Sequence, residues 1–347
     1  MIKKISLLAI LFSIFNTSFA QTDSTSPKYS ISTSGSIDAY FRSSFSTPSG
    51  ETNNLTSFTN SNNKLALGMA TLKVDQNLGK FAATVDLGVG KRAEEFSYND
   101  NGFLAYLKQA YLSYSVTDKL KVTAGKWATH VGYELLDAPL NRNYSMSYGF
   151  SYGPFFHTGL KAEYALSAKS SLMIGIANPT DYVTTSSAYK VVIAQFSTKL
   201  FEDKTTIYAN YQGGNTGGTT SFSQFDVVIN NTLSSQFALN YDGTVYTAKN
   251  GASTNWKSNA IYLNYDPTST LGFTLRSEIF DDKSGLSAGA FGTSIFANTF
   301  SMNYKIKKLT IIPELRLDNA KDNLFFNSDN IAKGNNTSFI IAAVYKF

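Results

Sequence analysis

Two histidines and no cysteines narrow the chemistry open to this 347-residue chain. A serine hydrolase needs an activated hydroxyl beside a histidine that a third polar group orients, and an acid-assisted protease needs carboxylates gathered around a histidine. His130 has Glu134 nearby, and His157 is followed by Thr158 with Ser151 upstream. Neither set completes such a constellation, so the sequence argues against an enzyme. Without thiols there is no disulfide framework and no thiolate metal site. Asp281-Asp282 and the acids scattered from Asp318 to Asp329 lack calcium-loop spacing. The run Gly213-Gly214-Asn215-Thr216-Gly217-Gly218 has no Lys-Ser/Thr after it and opens no helix, so it reads as a flexible outer loop and not a phosphate cradle. These residues call for no cofactor and no metal.

Charges do recur in another pattern. Lys161 and Glu163 alternate with Leu160, Ala162 and Tyr164; Arg276 and Glu278 alternate with Leu275 and Ile279; Glu314 and Arg316 alternate with Pro313, Leu315 and Leu317. A period of two puts these six charged groups on one face of a ribbon and the apolar side chains on the other. A Lys or Arg facing a bilayer midplane costs about 2 to 4 kcal/mol, whereas one facing a watery lumen costs little. The pattern therefore predicts lumen-facing charges inside a wall that is greasy outside. A soluble sandwich would hide its apolar face under a second sheet, and nothing in the chain supplies that cover.

The elements that carry this alternation number sixteen, at approximately 29–42, 65–75, 80–91, 105–116, 120–127, 157–166, 170–177, 190–201, 205–213, 224–233, 236–247, 258–265, 271–280, 297–306, 309–318 and 337–347. Very short connectors follow every second ribbon and long Asn/Ser/Gly-rich ones follow the rest, which is how an up-and-down membrane barrel meanders. The expected fold is an all-β, transmembrane antiparallel barrel of about 16 strands with both termini periplasmic; a miscounted hairpin would make it 14 or 18. The last ribbon alternates Phe339, Ile341, Ala343, Tyr345 and Phe347 to a terminal aromatic residue. That ending is similar to the closing-strand signal read by the barrel assembly machinery.

At the other end, Lys3 and Lys4 precede an apolar run from Ile5 to Phe15 and a Ser18-Phe19-Ala20 ending. Residues 1–20 read as a secretory signal cleaved before Gln21, since the apolar run is shorter than the roughly 20 residues of a spanning helix. The mature domain would then be 21–347. The charged fraction is 16%, below the roughly 25% of ordinary soluble domains. The 26 Phe and 21 Tyr suit aromatic girdles. Removing two lysines leaves 28 basic against 25 acidic side chains, scattered along the chain, which is no nucleic-acid footprint.

The longest connector, 128–156, carries Glu134, Asp137 and Arg142 among Tyr133, Tyr144, Tyr148, Phe150 and Tyr152. Its sequence, Gly125-Lys126-Trp127-Ala128-Thr129-His130-Val131-Gly132-Tyr133-Glu134, then Asn141-Arg142-Asn143-Tyr144-Ser145, then Pro154-Phe155-Phe156-His157-Thr158-Gly159, resembles the β-barrel porins of the OmpL-like, porin-2 type of Gram-negative outer membranes. The resemblance implies a porin-like protein without a cofactor. Third loops of general porins bend into the lumen, so Glu134, Asp137 and Arg142 are expected at a constriction. The two acids would face basic wall groups such as Lys161, Arg276 and Arg316 across a wet pore. The function that follows is passive diffusion of small hydrophilic solutes and ions. The alternative is a non-transport barrel that displays loops for adhesion or envelope integrity. Outer-membrane lipid and lipopolysaccharide would surround it, as a monomer or a homotrimer.

Overall fold

In the computed structural model, which describes residues 29–45, 47, 53–217 and 220–347, antiparallel strands follow one another from first to last. The first eight are β1 (Tyr29–Ser44), β2 (Lys64–Leu78), β3 (Phe81–Val89), β4 (Leu107–Ser115), β5 (Leu120–Ala128), β6 (Phe156–Ala165), β7 (Ser170–Ala177) and β8 (Val191–Leu200). Then come β9 (Thr205–Gly217), β10 (Thr220–Thr232), β11 (Phe237–Asn250), β12 (Ala252–Tyr265), β13 (Leu271–Asp281), β14 (Ser294–Ile306) and β15 (Leu309–Ala320). A small hairpin, β16 (Phe325–Phe326) with β17 (Ala332–Lys333), precedes the closing strand β18 (Asn335–Lys346). β18 pairs with both β15 and β1, so sixteen strands form a closed barrel with no open edge. The signal stretch 1–20 lies outside the described residues.

All sixteen predicted ribbons are strands, and the differences lie mostly at the long-loop ends, with β2 also running three residues further, to Leu78, at its short turn. β9 to β12 extend several residues beyond the predicted limits, and Gly213 to Gly217, read as loop, belong to β9. Ser, Thr, Asn and Gly dominate there, so the apolar alternation that marks a strand stops while the backbone ladder continues. The seam closes at the terminal residue: Gly35 and Phe347 exchange N–H···O bonds of 3.1 and 2.9 Å. A Cβ on Gly35 would lie 2.5 Å from the Phe347 ring and from the Thr71 carbonyl, so only glycine fits.

Side chains sort by face. Leu275, Ile279, Phe300, Leu315 and Ile341 are exposed on the outer wall. Phe237, Tyr265, Phe273 and Phe300 form a row of neighbouring rings with centroids 4.5, 6.4 and 6.0 Å apart. No helix among the described residues is long and apolar enough to cross a membrane; the two present, α1 (Lys91–Phe96) and α2 (Tyr148–Tyr152), are short loop elements. The inner face is not uniformly polar. Ile312, Ile340, Ala342 and Val344 are buried inside with Tyr40, Ala138 and Tyr144, so part of the third loop packs on an apolar inner patch.

Candidate functional site

The segment from residue 129 to residue 155 runs inside the barrel, and its backbone polar groups are answered by inward-facing side chains of the wall. It leaves the long-loop end of β5 and descends past β10 and β11. Gly132, at φ 90°, donates its N–H to Asp226 (3.1 Å), and Tyr133 donates to Asp242 (3.0 Å). At the bottom, the Arg142 guanidinium makes a two-pronged pair with Asp266 (3.0 and 2.6 Å) and bonds Thr274 (2.7 Å). Asp266 lies in the short turn between β12 and β13, so the loop reaches the far mouth of the barrel. The chain then climbs. Tyr144 and Ser145 donate their N–H groups to the two oxygens of Glu314 (2.7 and 3.0 Å). Tyr148 and Gly149, at the start of α2, do the same to Glu278 (2.8 and 2.7 Å).

Glu134 lies at the centre of this arrangement. One carboxylate oxygen meets Arg276 (2.5 Å) and the other accepts the Ser147 N–H (2.7 Å). Arg276, with no exposed surface, also donates to the Ser145 carbonyl (2.8 Å) and to Thr299 (3.0 Å). Arg316 donates to the Met146 carbonyl (2.6 Å) and pairs with Asp318 (2.9 Å). Asp137 faces Lys108 (2.6 Å), which is shared with Asp86 (3.1 Å), and not the basic groups expected for it. Lys161 lies apart from the loop's acids, 3.8 Å from Glu163 and 5.2 Å from the Trp127 ring centre. The expected transverse field of loop acids against wall bases is thus replaced by direct, buried pairing. Arg142 sits at the short-turn mouth and not with Glu134 at mid-barrel.

Several residues of this network were not singled out by sequence reasoning. Arg92 of α1 donates to the carbonyls of Leu136 (3.2 Å) and Tyr144 (3.4 Å) and lies 5.0 Å from the Tyr144 ring centre. Asp38 accepts the Tyr144 hydroxyl (2.5 Å). Asp38, Lys108, Asp226 and Asp242 lie on period-two ribbons and carry the same inward signal as the residues that were chosen, as does Asp86, which the alternation of its ribbon places on the polar face; Arg92, on a long connector, carries none. Asp181, between β7 and β8, accepts the N–H groups of Phe155 (2.8 Å) and Phe156 (2.9 Å) and the Tyr98 hydroxyl (3.2 Å). Burial pushes its carboxyl up to about 7. His130 donates its Nε2–H to the Tyr211 carbonyl of the wall (3.0 Å). Its ring centre is 5.2 Å from that of His157, and among the described residues no acid is bonded to either ring.

Two chambers follow one side of the loop, and a space of about 260 Å³ lies on its other side at the short-turn mouth, among Asn141, Arg142, Asn303, Lys305, Lys308 and Lys346. An outer chamber of about 390 Å³ is lined by Tyr152, Gln212, Gln224, Tyr246 and Trp256. An inner chamber of about 490 Å³ is lined by Tyr133, Lys161, Gln195, Tyr208, Asn210 and Asn230. Between them lies a cleft of about 10 Å³ among Gly132, Gly149, Gln224, Asp226, Asp242 and Thr244. That is room for roughly one water.

Comparison with known proteins agrees with this architecture. The family model described as putative beta-barrel porin-2, OmpL-like, matches residues 30–347. No curated protein matches the sequence. Among solved structures, the outer membrane channel DcaP of Acinetobacter baumannii is similar at 12% identity and TM-score 0.60, covering 94% of this chain and 99% of that one. The anion-selective porin from Comamonas acidovorans is similar at 11% identity and TM-score 0.60, with 92% and 100% covered. OmpT of Vibrio cholerae in a trimer form is similar at 12% identity and TM-score 0.61, with 92% and 99% covered.

Proposed function

Since the chain belongs to the putative beta-barrel porin-2, OmpL-like family, we propose that it is an outer-membrane porin through which small hydrophilic solutes and ions diffuse passively. The observation that carries this reading is the pair of polar chambers lying end to end between the third loop and the β8–β12 wall. The Gly132 to Asp242 cleft between them is the constriction, and Glu134 sets its width indirectly by holding the loop to Arg276. Asp137 acts in the same way through Lys108, and Arg142 anchors the loop at the periplasmic mouth. Lys161, Glu163, Arg276, Glu278, Glu314 and Arg316 are the lumen-side charges. The chain is exported behind a cleaved leader, leaves both termini in the periplasm, and works without catalysis or cofactor.

Liposome swelling with sugars of increasing size tests this function. Permeation with a sharp cut-off is expected. Impermeability to every solute would favour the competing reading, a barrel that displays its loops for adhesion or envelope integrity, which the narrowness of the cleft also suits. Cross-linking in native membranes distinguishes homotrimer from monomer, the trimer being the assembly in which one similar structure is described.

A further inference from the structure

The two walls of the lumen differ in chemistry. Along β13–β15 and β1–β4, inward charges such as Arg276, Glu278, Glu314, Asp38 and Lys108 are matched by the loop or by one another. Along β8–β12, carboxamides line the interior. Gln195 donates to Asn210 (2.8 Å), which donates to Asp226 (2.6 Å); Gln212 donates to Gln224 (2.7 Å), which donates to Thr244 (3.0 Å). Both chambers lie against this second wall.

We propose that the inner chamber is a binding subsite for a neutral polyhydroxylated solute, a sugar or polyol, in transit through the pore. The inference rests on the channel reading and names the solute class for it. A carboxamide offers a donor and an acceptor at once, as a hydroxyl does, and it carries no net charge that an ion would be needed to balance. The bonds among the amides fix their orientation before a solute arrives, which lowers the entropic cost of binding. Tyr208 and Tyr133 add flat apolar surface for the C–H face of a sugar ring, and Tyr133 is held at 4.3 Å between ring centres against Tyr262. Lys161, the charged group lining this chamber, shares the Glu163 carboxylate (3.8 Å) with Lys121, which lies closer at 2.8 Å, so discrimination against an anion rests on the cleft beyond it. A carboxylate solute leaving the chamber would also meet Asp226 and Asp242 at the cleft.

The test uses purified full-length protein in planar bilayers, with sucrose, glucose and gluconate as probes of the ion current. Sucrose and glucose should reduce the current saturably, and gluconate at equal concentration should have little effect. Tyr208→Ala, and separately the milder Asn230→Ala, should raise the half-blocking sugar concentration about tenfold, or ~1.4 kcal/mol. A linear, non-saturating decrease, equal blockade by gluconate, or half-blocking concentrations unchanged in both variants would overturn the subsite. A chain that carries no current refutes the channel reading separately. Calorimetry of sucrose with the detergent-solubilised protein then decides the subsite on its own: heat of binding lost in Tyr208→Ala supports it, and no heat with the natural chain overturns it.

Discussion

A guanidinium with no exposed surface must be neutralised, and Arg276 shows how: Glu134, the Ser145 and Met146 carbonyls and Thr299 receive the N–H groups of its two terminal nitrogens, while Nε has no hydrogen-bond partner among the described residues. Removing one partner of such a pair leaves a charge stranded. Glu134→Ala should therefore destabilise the folded loop by about 3 to 5 kcal/mol, and Glu134→Leu with Arg276→Met should recover much of that loss. Urea unfolding of the vesicle-embedded protein measures both; additive effects of the two substitutions would contradict a direct pair. Asp181 makes a pH-dependent contribution. Burial holds its carboxyl at about 7, above the ordinary 3.8, so the folded rim binds a proton that the unfolded chain releases. The stability it contributes is complete below about pH 4 and is lost as pH rises through about 7. Amide exchange at Phe155 and Phe156, corrected for its intrinsic pH dependence, should show protection falling over that range, and Asp181→Asn should abolish the trend. A flat profile in the natural protein would refute it.

At the scale of elements, what could be read from the sequence was what a period of two records. β13 and β15 sort Leu275 and Leu315 outward and Arg276 and Arg316 inward because lipid and lumen demand opposite polarity. Leu275→Arg should cost about 2 to 4 kcal/mol in vesicle-embedded unfolding, whereas Leu275→Ile should be nearly neutral; equal effects would mean that the outer row does not face lipid. The outer end of β12 escaped detection because Ser253, Thr254 and Asn255 are exposed in succession, so no alternation marks the strand. The depth of the third loop escaped too, although Ile340-Ile341-Ala342-Ala343-Val344 carries a trace of it. A continuous apolar run is the mark of a strand covered on both faces, and the loop is the inner cover. The partner of Asp137 was not legible at all, since pairing across a barrel depends on where a loop turns and not on spacing along the chain.

At the scale of the molecule, the loop divides the lumen unequally. It is bonded along β13–β15 through Arg276, Glu278 and Glu314 and meets β10 and β11 at Asp226 and Asp242, and the two chambers proposed as the water path lie beside that second wall, off-centre and separated by a narrow cleft. The absence of cysteine from the sequence makes this directly measurable, because any introduced thiol is the only one present. Gln212→Cys and Asn230→Cys place a thiol in the outer and inner chambers; Ser301→Cys places one behind the loop, where Asn143 and Glu314 cover it. The decisive measurement is the bilayer current of these three variants before and after a charged, water-soluble thiol reagent. The account predicts that the current falls for Gln212→Cys and Asn230→Cys and holds for Ser301→Cys. Loss of current in Ser301→Cys with none in the other two would place the path on the wrong side of the loop and contradict it.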